Sequence, residues 1–183
     1  MRIYLAGSHS VGKSTLARYI SEKYNLPMIT EVARQILSEN EYDLGSLRTD
    51  LDLVDSYQSE VFSRQIKEET KYNSFVSDRS FDNLAYAAQH SRVLKKILDS
   101  DELKNYVSSL NNEDVIIFFV RPSKATLKDD GVREKLNWDG IVAIDAMVKF
   151  LLEMFELPYF QINVDNMQER VRMVDAVLKM KSK

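Results

Sequence analysis

Apolar positions along this chain alternate between a continuous-run pattern and a helical one. Arg2-Ile3-Tyr4-Leu5-Ala6 is a short apolar run ending at Gly7, which predicts a buried strand. Leu16, Ile20 and Tyr24 then recur at helical spacing from Ser14 onward. Pro27-Met28-Ile29-Thr30 predicts a second strand, 31–39 a helix, and a loop through Asp43 and Gly45 comes next. Between Asp50 and Thr70, Val54, Tyr57, Val61 and Phe62 place one apolar stripe on a longer helix with charges opposite, which leaves no room for a strand.

The second half continues the alternation. Ser74-Phe75-Val76-Ser77 predicts a third strand that delivers Asp78 and Arg79 at its carboxyl end, and Leu84, Ala85 and Ala88 follow on a helix. Val93, Leu94 and Ile97 mark one more helical stretch, and Leu103, Tyr106, Val107 and Leu110 another, with Asp99 and Glu102 spaced as a capping box for the latter. Val115-Ile116-Ile117-Phe118-Phe119-Val120 is apolar throughout, as a central parallel strand covered on both faces must be. The stretch 122–138 is charged, contains Gly131 and has no apolar period, so a mobile lid is expected over roughly 122–137. Ile141, Ile144, Val148, Leu151 and Phe155 predict a helix, Pro158 to Ile162 a last strand, and Met167, Val171, Val174 and Leu178 a last helix.

Strands separated by helices imply a parallel sheet of about five strands with helices on both faces, since parallel neighbours need crossover connections. Ligands bind beyond the carboxyl ends of such strands. Gly7, Glu31, Asp78 and Arg121 all follow predicted strands and should gather at that edge.

Composition narrows the picture. The 183 residues show no composition break, so one domain over 1–183 is expected. No cysteine is present, which excludes disulfides, thiolate metal sites and a cysteine nucleophile. A net charge of -3 gives no global attraction to nucleic acid. The apolar run from Ile3 to Ala6 is too short for a signal-peptide core or a membrane span, so a cytoplasmic protein without membrane contact is expected.

Gly7-Ser8-His9-Ser10-Val11-Gly12-Lys13-Ser14 fits G-x-x-x-x-G-K-[ST] at every required position, between a strand and a helix. The pattern serves phosphate chemistry. Glycines let the backbone curl so that the N–H groups of Gly7, Ser10, Val11 and Gly12 turn toward phosphate oxygens, and the helix amino terminus adds positive potential. Lys13 supplies a mobile charge to the β and γ phosphates, the Ser14 hydroxyl is a Mg²⁺ ligand, and Thr15 lies near the α-phosphate. The fold class expected is therefore α/β, a three-layer P-loop NTPase fold, with ATP and Mg²⁺ as cofactors. His9 is expected to be an exposed loop position.

Three charged groups after strands suggest what the loop serves. Glu31 is the candidate base for an acceptor hydroxyl, beside the alternative that it only stabilises the helix dipole. Asp78 is placed to hold Mg²⁺ directly or through water, and Arg79 to bind substrate or phosphate. Either Glu31 or Asp78 could act as the base on the sequence pattern.

Gly7 to Thr15, Glu31-Val32-Ala33-Arg34, Ser77-Asp78-Arg79-Ser80 with Asp82-Asn83-Leu84-Ala85-Tyr86, and Asp130-Gly131-Val132-Arg133 occur in one order over most of the chain. In these motifs the sequence resembles the P-loop nucleoside and nucleotide kinases, most of all the ribosylnicotinamide-kinase-like branch grouped with AAA-type P-loop domains. The resemblance implies that Asp78-Arg79-Ser80 stands for the acidic-Arg-Ser motif of deoxynucleoside kinases, with Asp where those usually carry Glu. It implies a lid carrying Arg121, Lys124, Lys128, Arg133 and Lys135, of which Arg133 would stabilise the moving phosphoryl group. It also places Arg34 at the substrate and Tyr57, Gln58, Phe62 and Gln65 over an acceptor pocket.

The activity expected is transfer of the γ-phosphoryl group of ATP to a nucleoside, nucleotide or related ribosyl acceptor. A kinase acting on a hydroxyl of DNA or RNA is the alternative, and it needs Arg92, Lys95, Lys96 and the lid cations on one face. A regulatory NTPase is a second alternative, against which stands the absence of an Asn-Lys-x-Asp motif. Expected partners are a nucleoside triphosphate and a small-molecule nucleoside or nucleotide acceptor, with nucleic acid less favoured and a homodimer left open.

Overall fold

The computed structural model describes residues 1–30, 32–40, 42, 46–80, 82–124 and 138–181. The first half of the chain runs β1 (Arg2–Ala6), α1 (Lys13–Tyr24), β2 (Met28–Ile29), α2 (Val32–Glu39), α3 (Ser46–Thr49) and α4 (Leu51–Glu69). The second half runs β3 (Phe75–Ser77), α5 (Asp82–His90), α6 (Leu94–Leu98), α7 (Asp101–Leu110), β4 (Val115–Val120), α8 (Trp138–Met154), β5 (Phe160–Ile162) and α9 (Met167–Lys181).

The five strands form one all-parallel sheet in the order β2-β3-β1-β4-β5. Tyr4 stands opposite Ser77 on one side and Ile117 on the other. The middle strand is thus β1 rather than β4, although β4 is an inner strand paired with both β1 and β5. β4 is apolar throughout and β1 is apolar from Ile3 onward, because each side chain of an inner parallel strand meets a helix layer.

Strand alternation divides the core in two. Tyr4, Phe75, Val115, Ile117 and Phe119 face one layer, where they pack with residues of α4 to α8 such as Phe62, Leu84, Ile97, Tyr106 and Val148. Ile3, Leu5, Val76, Ile116, Phe118 and Val120 face the other, against Leu16 and Ile20 of α1 and Val174 and Leu178 of α9. A smaller cluster of Val32, Ile36, Tyr57 and Val61 fastens α2 to α4.

The carboxyl ends of all five strands open at one edge of the sheet, which is where β1 turns into α1. Gly7 is required there: a Cβ on it would lie 2.3 Å from the Val120 carbonyl oxygen. Two sequence expectations shift. The Asp99–Glu102 capping box does not form, because Ser100 is the cap of α7 and its hydroxyl accepts from the Leu103 N–H at 3.2 Å. A short helix, α3, also precedes the predicted long one. Among the described residues no helix is long and apolar enough to cross a membrane.

Candidate active site

The phosphate loop is the turn from β1 into α1. Gly12 caps α1 with φ +90°, and Ser10 also has positive φ, so the backbone curls as the motif requires. Lys13 is buried beneath the curl. Its ammonium donates to the Gly7 carbonyl at 2.7 Å and the Ser8 carbonyl at 2.6 Å, and it pairs with Asp82 at 3.1 Å. Burial pushes the Lys13 pKa down, and the Asp82 charge offsets this in part.

Beside it, the third strand delivers its carboxylate as the sequence predicts. Asp78 is 1% exposed, and its Oδ2 accepts from the Ser14 hydroxyl at 2.6 Å. Its other oxygen is buried without a hydrogen-bond partner among the described residues. An orphaned carboxylate oxygen next to a loop hydroxyl is a donor set that suits Mg²⁺, which takes one or two protein oxygens and completes its shell with phosphate and water. Asp78, though shorter than Glu, reaches Ser14 without strain on that contact.

Arg79 turns back toward α5, where its guanidinium meets Asp82 at 3.3 Å. Its own backbone is clamped by Ser77, whose hydroxyl donates to the Arg79 carbonyl at 2.9 Å. Asp82 therefore receives both cations, and its second oxygen accepts the Gly7 N–H at 3.2 Å. The sequence reading took Asp82 only as part of a motif; no local pattern marks its role, because both cations reach it by folding.

Further groups frame this centre. Arg121, just past β4, pairs at 2.8 Å with Asp145 of α8 and lies over the Phe119 ring. Burial raises the Asp145 pKa, and Arg121 opposes the shift. Arg170 of α9 is fully buried, donating to the carbonyls of Val11 in the loop, Val164 at 2.6 Å and Arg121 at 3.5 Å. Neither Asp145 nor Arg170 was a sequence candidate; Arg170 sits beside an apolar stripe and reads there as an ordinary surface cation.

Other expectations fare differently. His9 is not exposed: it is buried, with its Nδ1 hydrogen-bonded to the Tyr86 hydroxyl, because the loop curl turns the ring onto α5. Tyr57 and Gln58 lie buried on α4; the Tyr57 hydroxyl donates to the Ala33 carbonyl at 3.3 Å, and burial pushes its pKa up to about 12 while Arg79 opposes. Phe62 and Gln65 are buried on the same helix. Phe62 packs edge-on to Tyr106, and Gln65 donates to Glu69 at 2.8 Å and Ser77 at 3.2 Å, since a buried carboxylate needs those donors. Glu31, Arg133 and the lid from 125 to 137 lie outside the described residues, as does the side chain of Arg34. Thr15 is exposed on the first turn of α1.

Comparison with known proteins agrees with this fold. A sequence-family model described as an AAA domain matches residues 2–170. No curated protein matches the chain. Among solved structures, a deoxyadenosine kinase from M. mycoides with dCMP and dCDP is 18% identical, with 98% of this chain and 100% of that one covered and a TM-score of 0.66. A NadR protein in complex with NR is 17% identical at a TM-score of 0.74, covering 100% of this chain, which spans 52% of that one. A shikimate kinase from Aquifex aeolicus is 16% identical at a TM-score of 0.59, with 100% and 98% covered. At these identities the likeness is one of fold.

Proposed function

We propose, from the premise that this chain belongs to the AAA domain family and has the fold of the P-loop nucleoside and nucleotide kinase superfamily, that it is an ATP- and Mg²⁺-dependent phosphotransferase. Its acceptor is a nucleoside, nucleotide or related ribosyl compound, as in the ribosylnicotinamide-kinase-like branch. The observation that carries the reading is the contact of Ser14 with the buried, half-satisfied Asp78 directly beside Lys13. The similarity to kinases of small hydroxyl compounds supports it. One domain in the cytoplasm suffices for this chemistry.

The reaction moves the γ-phosphoryl group from ATP to an acceptor hydroxyl, and little covalent chemistry falls to the protein. The loop amides of Gly7, Ser10, Val11 and Gly12 and the amino terminus of α1 bind the phosphate chain, with Thr15 near the α-phosphate. Lys13 neutralises charge at the β and γ positions. Ser14 and Asp78 would hold Mg²⁺, which would supply charge neutralisation to the phosphate chain. Arg79, and Arg34 on α2, orient the acceptor, while Tyr57 and Gln58 of α4 line its side. Because Asp78 is engaged with Ser14, Glu31 takes the acceptor proton. Arg133, from the lid, stabilises charge on the transferring group and helps exclude water.

Among the cations on which the nucleic-acid alternative draws, one is already paired. Arg92, which it needs, is held by Asp52 at 2.5 Å and Asp55 at 2.7 Å. The test is incubation with Mg²⁺, γ-labelled ATP and a panel of nucleosides, nucleoside monophosphates, nicotinamide riboside and short DNA oligomers, with Lys13→Ala as control. Label in a small product that Lys13→Ala does not make is expected. Label on DNA alone would move the assignment to polynucleotides, and label only in free phosphate would make the protein an NTPase.

A further inference from the structure

Asp82 is the first residue of α5 and has no solvent exposure, yet three donors from two functional regions end on it. Its Oδ1 accepts the Gly7 N–H at 3.2 Å, which fixes the carboxylate against the start of the phosphate loop. Its Oδ2 faces the Lys13 ammonium at 3.1 Å and the Arg79 guanidinium at 3.3 Å. Lys13 belongs to the triphosphate half of the site, while Arg79 follows β3 in the turn assigned to the acceptor. Water cannot screen a carboxylate buried this deeply, so how its charge is divided between two cations matters energetically.

We infer that Asp82 is a positioning residue shared by the two halves of the site, competing with the triphosphate for Lys13 and holding Arg79 in place for the acceptor. A phosphate chain in the loop draws Lys13 toward its own oxygens. Asp82, still anchored by Gly7, then faces Arg79 alone, and that pair tightens. Occupancy of the triphosphate half is thereby transmitted to the acceptor half through one side chain. The assignment of Arg79 to an acceptor rests on the kinase reading; the competition for Lys13 does not.

Calorimetric titration of the full chain with inorganic tripolyphosphate, and with Mg·ATP, tests the inference. In Asp82→Asn the carboxamide still accepts from Gly7, but Lys13 loses its counter-charge, so the free site is less favourable and either ligand relieves it. About tenfold tighter binding is expected, on the scale of a buried charge pair. A merely structural role would weaken binding or leave it unchanged, and either result in a folded Asp82→Asn chain overturns the inference.

Arg79→Gln returns the whole of the Asp82 charge to Lys13 and should weaken tripolyphosphate binding several-fold in the wild-type background, on the order of one ion-pair coupling. In the Asp82→Asn background the same change should have no effect. An equal loss in both backgrounds means that Arg79 binds phosphate directly, and overturns the sharing. Should Asp82→Asn fail to fold, the ¹³C resonance of the Asp82 carboxyl in the unsubstituted chain is read instead: it moves on saturation with tripolyphosphate, and a stationary resonance overturns the inference. None of these readouts needs turnover. Failure to phosphorylate any acceptor would refute the kinase reading and leave the competition for Lys13 standing.

Discussion

Glu69 shows what single-residue chemistry the fold has built away from the phosphate loop. It ends α4 inside the core, where its carboxylate accepts from Tyr4 at 2.7 Å, Gln65 at 2.8 Å and Tyr106 at 3.2 Å. Burial pushes its pKa from 4.5 up to about 7, and the three donors oppose the shift only in part. Between those two values the folded chain holds a proton that the unfolded chain releases. Stability from this group is therefore complete below pH 4.5 and is lost as pH rises toward 7. Glu69→Gln removes that dependence. Urea denaturation between about pH 4.5 and about pH 7.5 should show wild type losing about 3 kcal/mol more than the variant; parallel pH profiles would contradict it. The effect bears on the site, because Gln65 also donates to Ser77, which clamps the Arg79 backbone. Tyr106 and Gln65 were legible as helix residues, but not as partners of one buried carboxylate, since Gln65 stands four residues before it on α4 and Tyr106 reaches it from α7.

At the scale of elements, apolar periodicity carried most of the information. Each predicted strand forms, β4 over the same six residues, and α4 occupies the stretch where no strand was expected. Ends were less legible, and α7 shows why. Asp99-x-x-Glu102 has the spacing of a capping box, but the Asp99 N–H is hydrogen-bonded to Lys95 within the turn that closes α6. Only Ser100 leaves helical geometry, with ψ 146°, and it therefore caps α7. Local spacing does not reveal which of two adjacent polar residues the preceding helix will absorb. Ser100→Ala should cost about 1 kcal/mol, whereas Asp99→Ala should change stability by less than about 0.5 kcal/mol. Comparing the urea midpoints of the two variants checks the assignment, and a larger loss at Asp99 would reverse it.

For the molecule as a whole, the decisive link is Arg170, which brings α9, the phosphate loop and the ends of β4 and β5 together from inside the protein. A buried guanidinium on carbonyls is stabilising only while all of them stay in place, so it holds the loop to the sheet edge. Arg170→Leu leaves those carbonyls without their donor. A loss on the order of 3 kcal/mol in unfolding free energy is expected, with Mg·ATP binding weakened about tenfold in calorimetry. Unchanged nucleotide affinity would show that the loop holds its shape without Arg170. By itself the sequence determined the alternation of strands and helices, the parallel sheet, and the meeting of Lys13, Ser14 and Asp78 at one edge. These follow from period and from short motifs, in which the interacting residues are neighbours or sit at strand ends. Tertiary structure alone decided that Asp82 would be the shared counter-ion, that Arg170 would pin the loop, and that His9 and Glu69 would be buried. Gly7 and Asp82 are 75 positions apart, and Arg170 and Val11 are 159 apart. No local pattern encodes contacts of that span, because burial and pairing arise only when the helices close over the sheet.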